Sequence, residues 1–297
     1  MPVLRAPEGD IYFEQRGSRA APPVLLIHGV GCQLIHWPES FLNRLVDADL
    51  RVIYFDNRDC GLSFEFAATS PSIIELIAAR ENPSELTPPY SLSDMATDAV
   101  HLLNHIGQSG AHVIGVSMGG MIAQRMLCEH PERVFSLTSI MSTTGNPEVG
   151  QPQPEAIAGL ASNFVEMDRD AALANSRTVH NLLGGTHFVS TEVGMGRIAE
   201  LAYDRALRPT GTLRQFAAIV TDGDRREELS KTRTPVLAIH GNMDPLVDLD
   251  GSEDLVNTVP NGKLLVMDQM GHDVPEPLIP EMADAIIEHI RRCEAKR

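Results

Sequence analysis

The chain has 297 residues, of which 43% are hydrophobic, so it is long enough to bury a large core. Its formal net charge of -16 disfavours binding to nucleic acid, anionic membranes and strongly anionic substrates. The N-terminal segment lacks the apolar stretch of a signal peptide, and no apolar run approaches the about 20 residues that span a bilayer. We therefore expect a cytoplasmic protein that binds neither nucleic acid nor membranes. The sequence leaves open whether it forms a homo-oligomer.

Short apolar runs bounded by turn residues alternate with helical patterns along most of the chain. The predicted strands cover residues 10–16, 24–28, 51–56, 111–116, 134–141, 235–240 and 263–267. The predicted helices cover residues 36–48, 94–107, 118–130, 249–259 and 276–292. This alternation predicts an α/β fold with a mostly parallel central sheet flanked by helices. Ligands of such sheets bind outside the carboxyl ends of the strands.

The alternation stops between the strands predicted at 134–141 and 235–240. We predict a helical cap, or lid, at residues 145–221, inserted into a core formed by residues 1–144 and 222–297. Several apolar residues of this segment are candidates either to line a pocket or to pack the cap on the core. They are Leu160, Phe164, Met167, Leu182, Phe188, Met195 and Leu201. A second irregular stretch, residues 64–90, contains several prolines and is a candidate for another pocket wall.

One serine stands in a sharp turn between a predicted strand and a predicted helix. Gly115 and Gly119 flank Ser117 two residues before and after it, as a tight strand-to-helix turn requires. The pattern Gly-x-Ser-x-Gly alone arises by chance in roughly one chain in ten of this length. Here the strand before it and the helix after it make chance a poor explanation, so Ser117 is the candidate nucleophile.

A serine hydroxyl needs an imidazole to take its proton and a carboxylate to orient that imidazole. Asp244 follows the strand predicted at 235–240, and His272 follows the strand predicted at 263–267. Both therefore lie at the sheet edge where Ser117 is expected. The order along the chain is Ser, Asp, His.

An acyl-transfer site also needs amide donors for the oxyanion that forms on the attacked carbonyl. The amide of Met118, directly after the nucleophile, is one candidate. The second is the amide of Val30, in the loop after the strand predicted at 24–28. Gly29 and Trp37 are candidate substrate contacts, although a lone tryptophan at this point is equally well explained as a packing anchor.

Metal and cofactor sites are poorly supported by the sequence. Cys32, Cys60, Cys128 and Cys293 show no paired spacing, which excludes a disulfide framework and disfavours zinc. His101 and His105 have zinc-like spacing but lack the glutamate that a metalloprotease places between its histidines. The glycines at 29 and 31 lack the third glycine of a dinucleotide fingerprint. We expect no metal and no organic cofactor.

Three segments together resemble the α/β-hydrolase superfamily. They are His28-Gly29 followed by Trp37, the run Asp-Asn-Arg-Asp-Cys-Gly-Leu-Ser at 56–63, and Ser-Met-Gly-Gly at 117–120. Within the superfamily they are similar to the aclacinomycin methylesterase-like bacterial carboxylesterases. The resemblance implies hydrolysis of carboxylic esters by Ser117, Asp244 and His272 through an acyl-enzyme, without a cofactor. One departure is Asp59, because many members of this group carry glycine there.

The substrate expected from these features is a small to medium uncharged ester, enclosed under the cap. The same triad also serves lactone opening, carbon–carbon bond hydrolysis and perhydrolysis, and the motifs do not separate these reactions. A non-catalytic ligand receptor is the remaining alternative. An intact set of catalytic residues argues against it.

Overall fold

The computed structural model describes residues 3–184, 187–188 and 192–297, with only the backbone for residues 192–195. Met195, one of the predicted cap residues, therefore lies outside the described side chains. The strands are β1 Val3–Arg5, β2 Asp10–Arg16, β3 Pro23–Ile27, β4 Arg51–Phe55, β5 Ala111–Val116, β6 Val134–Ile140, β7 Val236–Gly241 and β8 Gly262–Met267. They form one sheet in the order β1-β2-β4-β3-β5-β6-β7-β8. The pairings of β1 with β2 and β2 with β4 are antiparallel, and the other pairings are parallel.

Helices connect and cover these strands. They are α1 Glu39–Asp47, α2 Ile73–Glu81, α3 Leu92–His105, α4 Met118–Glu129, α5 Pro154–Ser162, α6 Arg169–Leu183, α7 Glu192–Ala206, α8 Pro209–Asp222, α9 Arg226–Leu229, α10 Asp250–Thr258 and α11 Ile279–Glu294. Short 3-10 turns cover residues 34–36, 83–85, 131–133 and 276–278. Within the described ranges, none of these helices combines the length and apolarity needed to cross a membrane.

Apolar clusters cover both faces of the sheet, which explains why its strands read as continuous apolar runs. Side chains of a strand alternate between faces, and β3 follows this rule. Leu25 and Ile27 belong to the cluster that includes α3 and α4. Val24 and Leu26 belong to the cluster that includes α1 and α11. Helices on both faces leave the carboxyl ends of the parallel strands as the edge where a site forms.

The mostly parallel α/β fold is confirmed, and each predicted strand is present within a residue or two. Among the strands and α-helices, β1, α2 and the four-residue helix α9 were missed. Strand β1 has only three residues, too few to show a period. Helix α2 lies in the stretch 64–90 that was predicted to be irregular. Its sequence did carry a capping box, because Ser72 Oγ accepts from the Glu75 amide while the Glu75 carboxylate accepts from the Ser72 amide.

In the described part of the chain, helices α5 to α9 lie between β6 and β7, and we call residues 154–222, which hold α5 to α8, the helical insertion. A third apolar cluster joins this insertion to other parts of the chain. It includes Leu160 and Phe164 of the insertion, Leu76 of α2 and Leu246 from the loop after β7. The insertion therefore packs over the loops at the carboxyl edge of the sheet.

A buried ion pair fixes α8 to the core. Both nitrogens Nε and Nη2 of Arg214 donate to the carboxylate of Asp59, at 2.8 and 2.7 Å. Tyr90 donates its hydroxyl to the same carboxylate. The Asp59 backbone has φ +64°, a left-handed conformation that aspartate tolerates better than most residues and glycine best of all. Asp59 thus adopts a backbone conformation that is typical of glycine, and its carboxylate binds the insertion through Arg214.

We expect the substitution Arg214→Met to lower the free energy of unfolding by about 3–5 kcal/mol, because it leaves a buried carboxylate without its main partner. Arg226→Met is the matched control, since Arg226 pairs with Asp224 at the surface with 39% of its side chain exposed. That change should cost less than about 1 kcal/mol. Urea unfolding followed by circular dichroism measures both, and equal losses would contradict the anchoring role.

Candidate active site

Ser117 stands between β5 and α4 in a strained backbone conformation, with φ 55° and ψ -120°. The close packing of this turn explains its glycines. A Cβ at Gly115 would overlap the carbonyl of Gly119, and a Cβ at Gly119 would overlap the carbonyl of Ile27. The Ser117 carbonyl accepts from the amide of Gly120 and the hydroxyl of Ser142. This backbone is the sharp strand-to-helix turn that the sequence predicts.

The structure brings the three predicted residues Ser117, Asp244 and His272 together. The ring nitrogen Nε2 of His272 lies 3.0 Å from Ser117 Oγ, and its Nδ1 lies 2.7 Å from Asp244 Oδ2. These distances are within hydrogen-bond range. The three side chains form one continuous chain of contacts across the carboxyl ends of β5, β7 and β8.

Asp244 is held ionised by its surroundings. Burial alone would raise the pKa of its carboxyl group, but the charge of His272 and hydrogen bonds from His240 and His272 outweigh burial and lower it. The other oxygen, Oδ1, accepts from the amides of Leu246 and Val247 at 2.8 and 2.9 Å. The carboxylate therefore has a fixed orientation and keeps its negative charge facing the imidazole.

His240, to which no role was assigned from the sequence, lies beside this carboxylate. Its Nε2 lies 3.3 Å from Asp244 Oδ2 and 2.9 Å from the carbonyl of Val247, and its Nδ1 lies 2.7 Å from Ser252 Oγ. The ring is fully buried. A signal for it exists in the sequence, because His240 is the one polar side chain in the otherwise apolar strand β7 and stands four residues before Asp244.

The predicted oxyanion residues lie next to the serine, Met118 directly after it in the chain and Val30 directly after Gly29, which packs on it. Met118 is the first residue of α4, where backbone amides have no partner within the helix. Val30 lies in a tight turn closed by a hydrogen bond from the Cys32 amide to the Gly29 carbonyl. The Val30 amide has no protein acceptor within the described part of the chain. Both amides are therefore available to an oxyanion.

Gly29 lies directly against the serine, since a Cβ built on it would be 3.3 Å from the Ser117 Cβ. Trp37 is only 3% exposed, stacks on Phe41, and tilts against the ring of His28 at 4.7 Å. This packing is that of a core anchor. A direct contact of either residue with substrate stays a prediction.

Two other groups near the oxyanion turn are held in their neutral forms. Burial lowers the pKa of His28 to about 3, and its Nδ1 accepts from the Gly29 amide. Burial, with a further contribution from the charge of Asp273, raises the pKa of the Cys32 thiol to about 12. Cys32 is therefore a thiol at neutral pH and a poor nucleophile. In the described ranges, no three His, Cys, Asp or Glu side chains are grouped so that they could hold a metal ion.

The helical insertion contacts the loops that carry these residues. The amide of His272 donates to the carbonyl of Leu183, at the end of α6, at 2.7 Å. Val30 packs against the third apolar cluster, which contains Leu160 and Phe164. Leu201, another predicted pocket residue, is 48% exposed and lies outside this cluster. The insertion thus places apolar side chains beside the oxyanion turn.

Comparisons with known proteins agree with this architecture. The family described as alpha/beta hydrolase fold matches residues 22–276. The chain is 27% identical to a rhodomycin D methylesterase of Streptomyces peucetius, over 96% of each chain. It is 26% identical to a 2-hydroxy-6-oxononadienedioate/2-hydroxy-6-oxononatrienedioate hydrolase of Paraburkholderia phymatum, over 88% of this chain and 84% of the relative.

Among solved structures, a meta-cleavage product hydrolase of Pseudomonas fluorescens matches with a TM-score of 0.76 and 16% identity, over 98% of each chain. An identity this low supports the fold alone. The family model matches most of the chain, and the strand order and the turn at Ser117 agree with that match. The chain belongs to the alpha/beta hydrolase fold family, and its relatives include rhodomycin D methylesterases.

Proposed function

We propose that the protein is a serine esterase that hydrolyses carboxylic esters of small to medium uncharged molecules through an acyl-enzyme. The observation that carries this proposal is the contact chain from Asp244 through His272 to Ser117. Its two links, at 2.7 and 3.0 Å, fit an acid, a base and a nucleophile acting as one unit.

In the first half of the reaction, Nε2 of His272 takes the proton of the Ser117 hydroxyl as the oxygen attacks the ester carbonyl. The carbonyl oxygen becomes negative and accepts hydrogen bonds from the amides of Val30 and Met118. The imidazolium then gives its proton to the leaving alcohol, and the acyl group stays on the serine. Water, activated by the same imidazole, releases the acid in the second half.

Asp244 serves this cycle by its position and its charge. Its Oδ2 accepts from Nδ1 of His272, which leaves Nε2 free of a proton and directed at the serine. The carboxylate also stabilises the imidazolium formed during attack. Its lowered pKa keeps it ionised through the neutral pH range.

The segment 145–221 serves as the cap of this site, and the side chains that it contributes favour an uncharged substrate. The apolar cluster beside Val30 suits an uncharged group. Three arginines in or beside the loop at residues 56–63 are already paired with carboxylates, Arg58 with Asp98, Arg205 with Asp56 and Arg214 with Asp59. None of these three is free to receive a substrate carboxylate.

Carbon–carbon bond hydrolysis is the second candidate, because the same triad serves that reaction and a hydrolase of 2-hydroxy-6-oxononadienedioate matches most of the chain. The name of that relative describes a dicarboxylate substrate, which the paired arginines and the net charge of -16 disfavour. The methylesterase relative covers more of the chain. We therefore favour ester hydrolysis over carbon–carbon, lactone or perhydrolase chemistry, and over a receptor without turnover.

We expect Ser117→Ala to abolish hydrolysis of a p-nitrophenyl ester and labelling by a fluorophosphonate probe, because alanine removes the nucleophile and leaves the turn intact. Circular dichroism of the variant should match the parent. The proposed nucleophile is wrong if the variant is labelled as fast as the parent.

We expect Asp244→Asn and His272→Ala each to lower kcat by several orders of magnitude. The kcat of the double variant should be only slightly lower than that of the less active single variant. Residues that act as one unit are not additive. Asp248→Asn is the matched control, because this carboxylate lies in the same loop and its Oδ1 accepts from the Asp250 amide, not from His272. A greater loss of kcat in the control than in Asp244→Asn would reassign the acid.

We expect short and medium acyl esters, including methyl esters of small acids, to be hydrolysed with a higher kcat/KM than emulsified long-chain triglycerides. An enclosed apolar pocket has room for a small ligand and buries most of it. A chain-length series of p-nitrophenyl esters beside an emulsion assay measures this. An optimum at long chains with activation at the lipid interface would place the protein among lipases and contradict the enclosed site.

A further inference from the structure

A glutamine of the helical insertion reaches into the oxyanion turn. The side chain of Gln215, on α8, is fully buried between two loops of the core. Its Oε1 accepts from the amide of Gly31 at 2.8 Å, and its Nε2 donates to the carbonyl of Arg58 at 2.7 Å. Because both partners are backbone groups, one a donor and one an acceptor, the orientation of the side-chain amide is fixed.

The turn at residues 29–32 determines where the Val30 amide points. The Gly29 carbonyl accepts from the Cys32 amide, and in a trans peptide the N–H of Val30 points away from that carbonyl. Gly31, the third residue of the turn, has φ +68°, as in a type II turn. The Val30 N–H belongs to the peptide that enters the turn, so the place of the oxyanion donor depends on where this turn is held.

Glycine alone does not select the turn type, because it adopts positive and negative φ with similar ease. Rotating the peptide between Val30 and Gly31 converts a type II turn into type I and exchanges the positions of its N–H and carbonyl. In the rotated turn, the Val30 carbonyl would face Oε1 of Gln215, oxygen against oxygen. The bond from Gly31 to Gln215 thus favours the observed turn and opposes the alternative.

We infer that Gln215 is a positioning residue of the esterase: its bonds to the Gly31 amide and the Arg58 carbonyl hold the turn at residues 29–32, and with it the Val30 amide, in place for the oxyanion. The inference rests on the proposed function. It also links the insertion to catalysis, because the group that stabilises the turn comes from α8. Thr212, one helical turn earlier on α8, packs on Gly31 as well, since a Cβ on that glycine would be 3.1 Å from the Thr212 methyl group.

The test is Gln215→Met, which keeps the length of the side chain and removes both hydrogen bonds. We expect kcat on a p-nitrophenyl ester, and the rate constant of labelling by a fluorophosphonate, to fall in parallel by about 10- to 100-fold, as small misplacements of catalytic groups do. KM should change little, because the oxyanion forms only after binding. A merely structural role would not change kcat selectively in a protein that remains folded.

Gln124→Met is the matched control. Gln124 is equally buried, and its side chain also makes two hydrogen bonds, to the Thr143 carbonyl and from Arg225, but it does not contact the oxyanion turn. We expect it to lose stability without losing the labelling rate. Gln215→Glu is the second variant, because one of its oxygens still accepts from Gly31. Its labelling rate should lie between those of the parent and Gln215→Met.

The outcomes separate the two claims. A parent protein that neither hydrolyses esters nor reacts with the probe would overturn the proposed function, and the positioning role with it. A reactive parent with an equally reactive, folded Gln215→Met would overturn the positioning role alone. Equal rate losses in the two methionine variants would also overturn it, because the loss would then follow from general destabilisation.

Discussion

The structure depends on the close approach of three backbone segments at Ser117. Strand β5, the first turn of α4 and the end of β3 meet there with no room for a side chain at Gly115 or Gly119. This contact holds the serine in its strained conformation and sets the start of α4 beside the loop that follows β3. Candidate oxyanion donors from two separate loops are thereby brought to one point, on parts of the chain that have little freedom to move.

The helical insertion adds a second level of organisation. Three loops at this edge of the sheet are bonded to it: the histidine loop through the carbonyl of Leu183, the oxyanion turn through Gln215, and the loop at 56–63 through Arg214. These are directional bonds, not apolar packing alone. The site is therefore built from a rigid sheet edge whose loops are held on their outer side by residues far away in sequence.

The sequence was sufficient to predict the sheet and the placement of the site residues at its carboxyl edge. Apolar runs identify strands buried on both faces, and such strands end at one common edge. It was not sufficient for β1, which is too short to show a period, nor for the partners of Gln215. Those partners lie 184 and 157 residues away in sequence, and no local pattern encodes contacts of that range. The catalytic roles and the cap boundaries stay predictions.

The pair formed by Asp59 and Arg214 bears on how this sequence is able to diverge. Glycine at position 59 would suit the left-handed backbone better. It would, however, leave the buried guanidinium of Arg214 on α8 without its carboxylate partner. Replacing Arg214 first would leave the buried carboxylate of Asp59 unpaired instead. Neither single change is a neutral step, so the two positions are expected to change together or to persist together. The backbone geometry of one loop thus couples its evolutionary history to that of a helix 155 residues further along the chain.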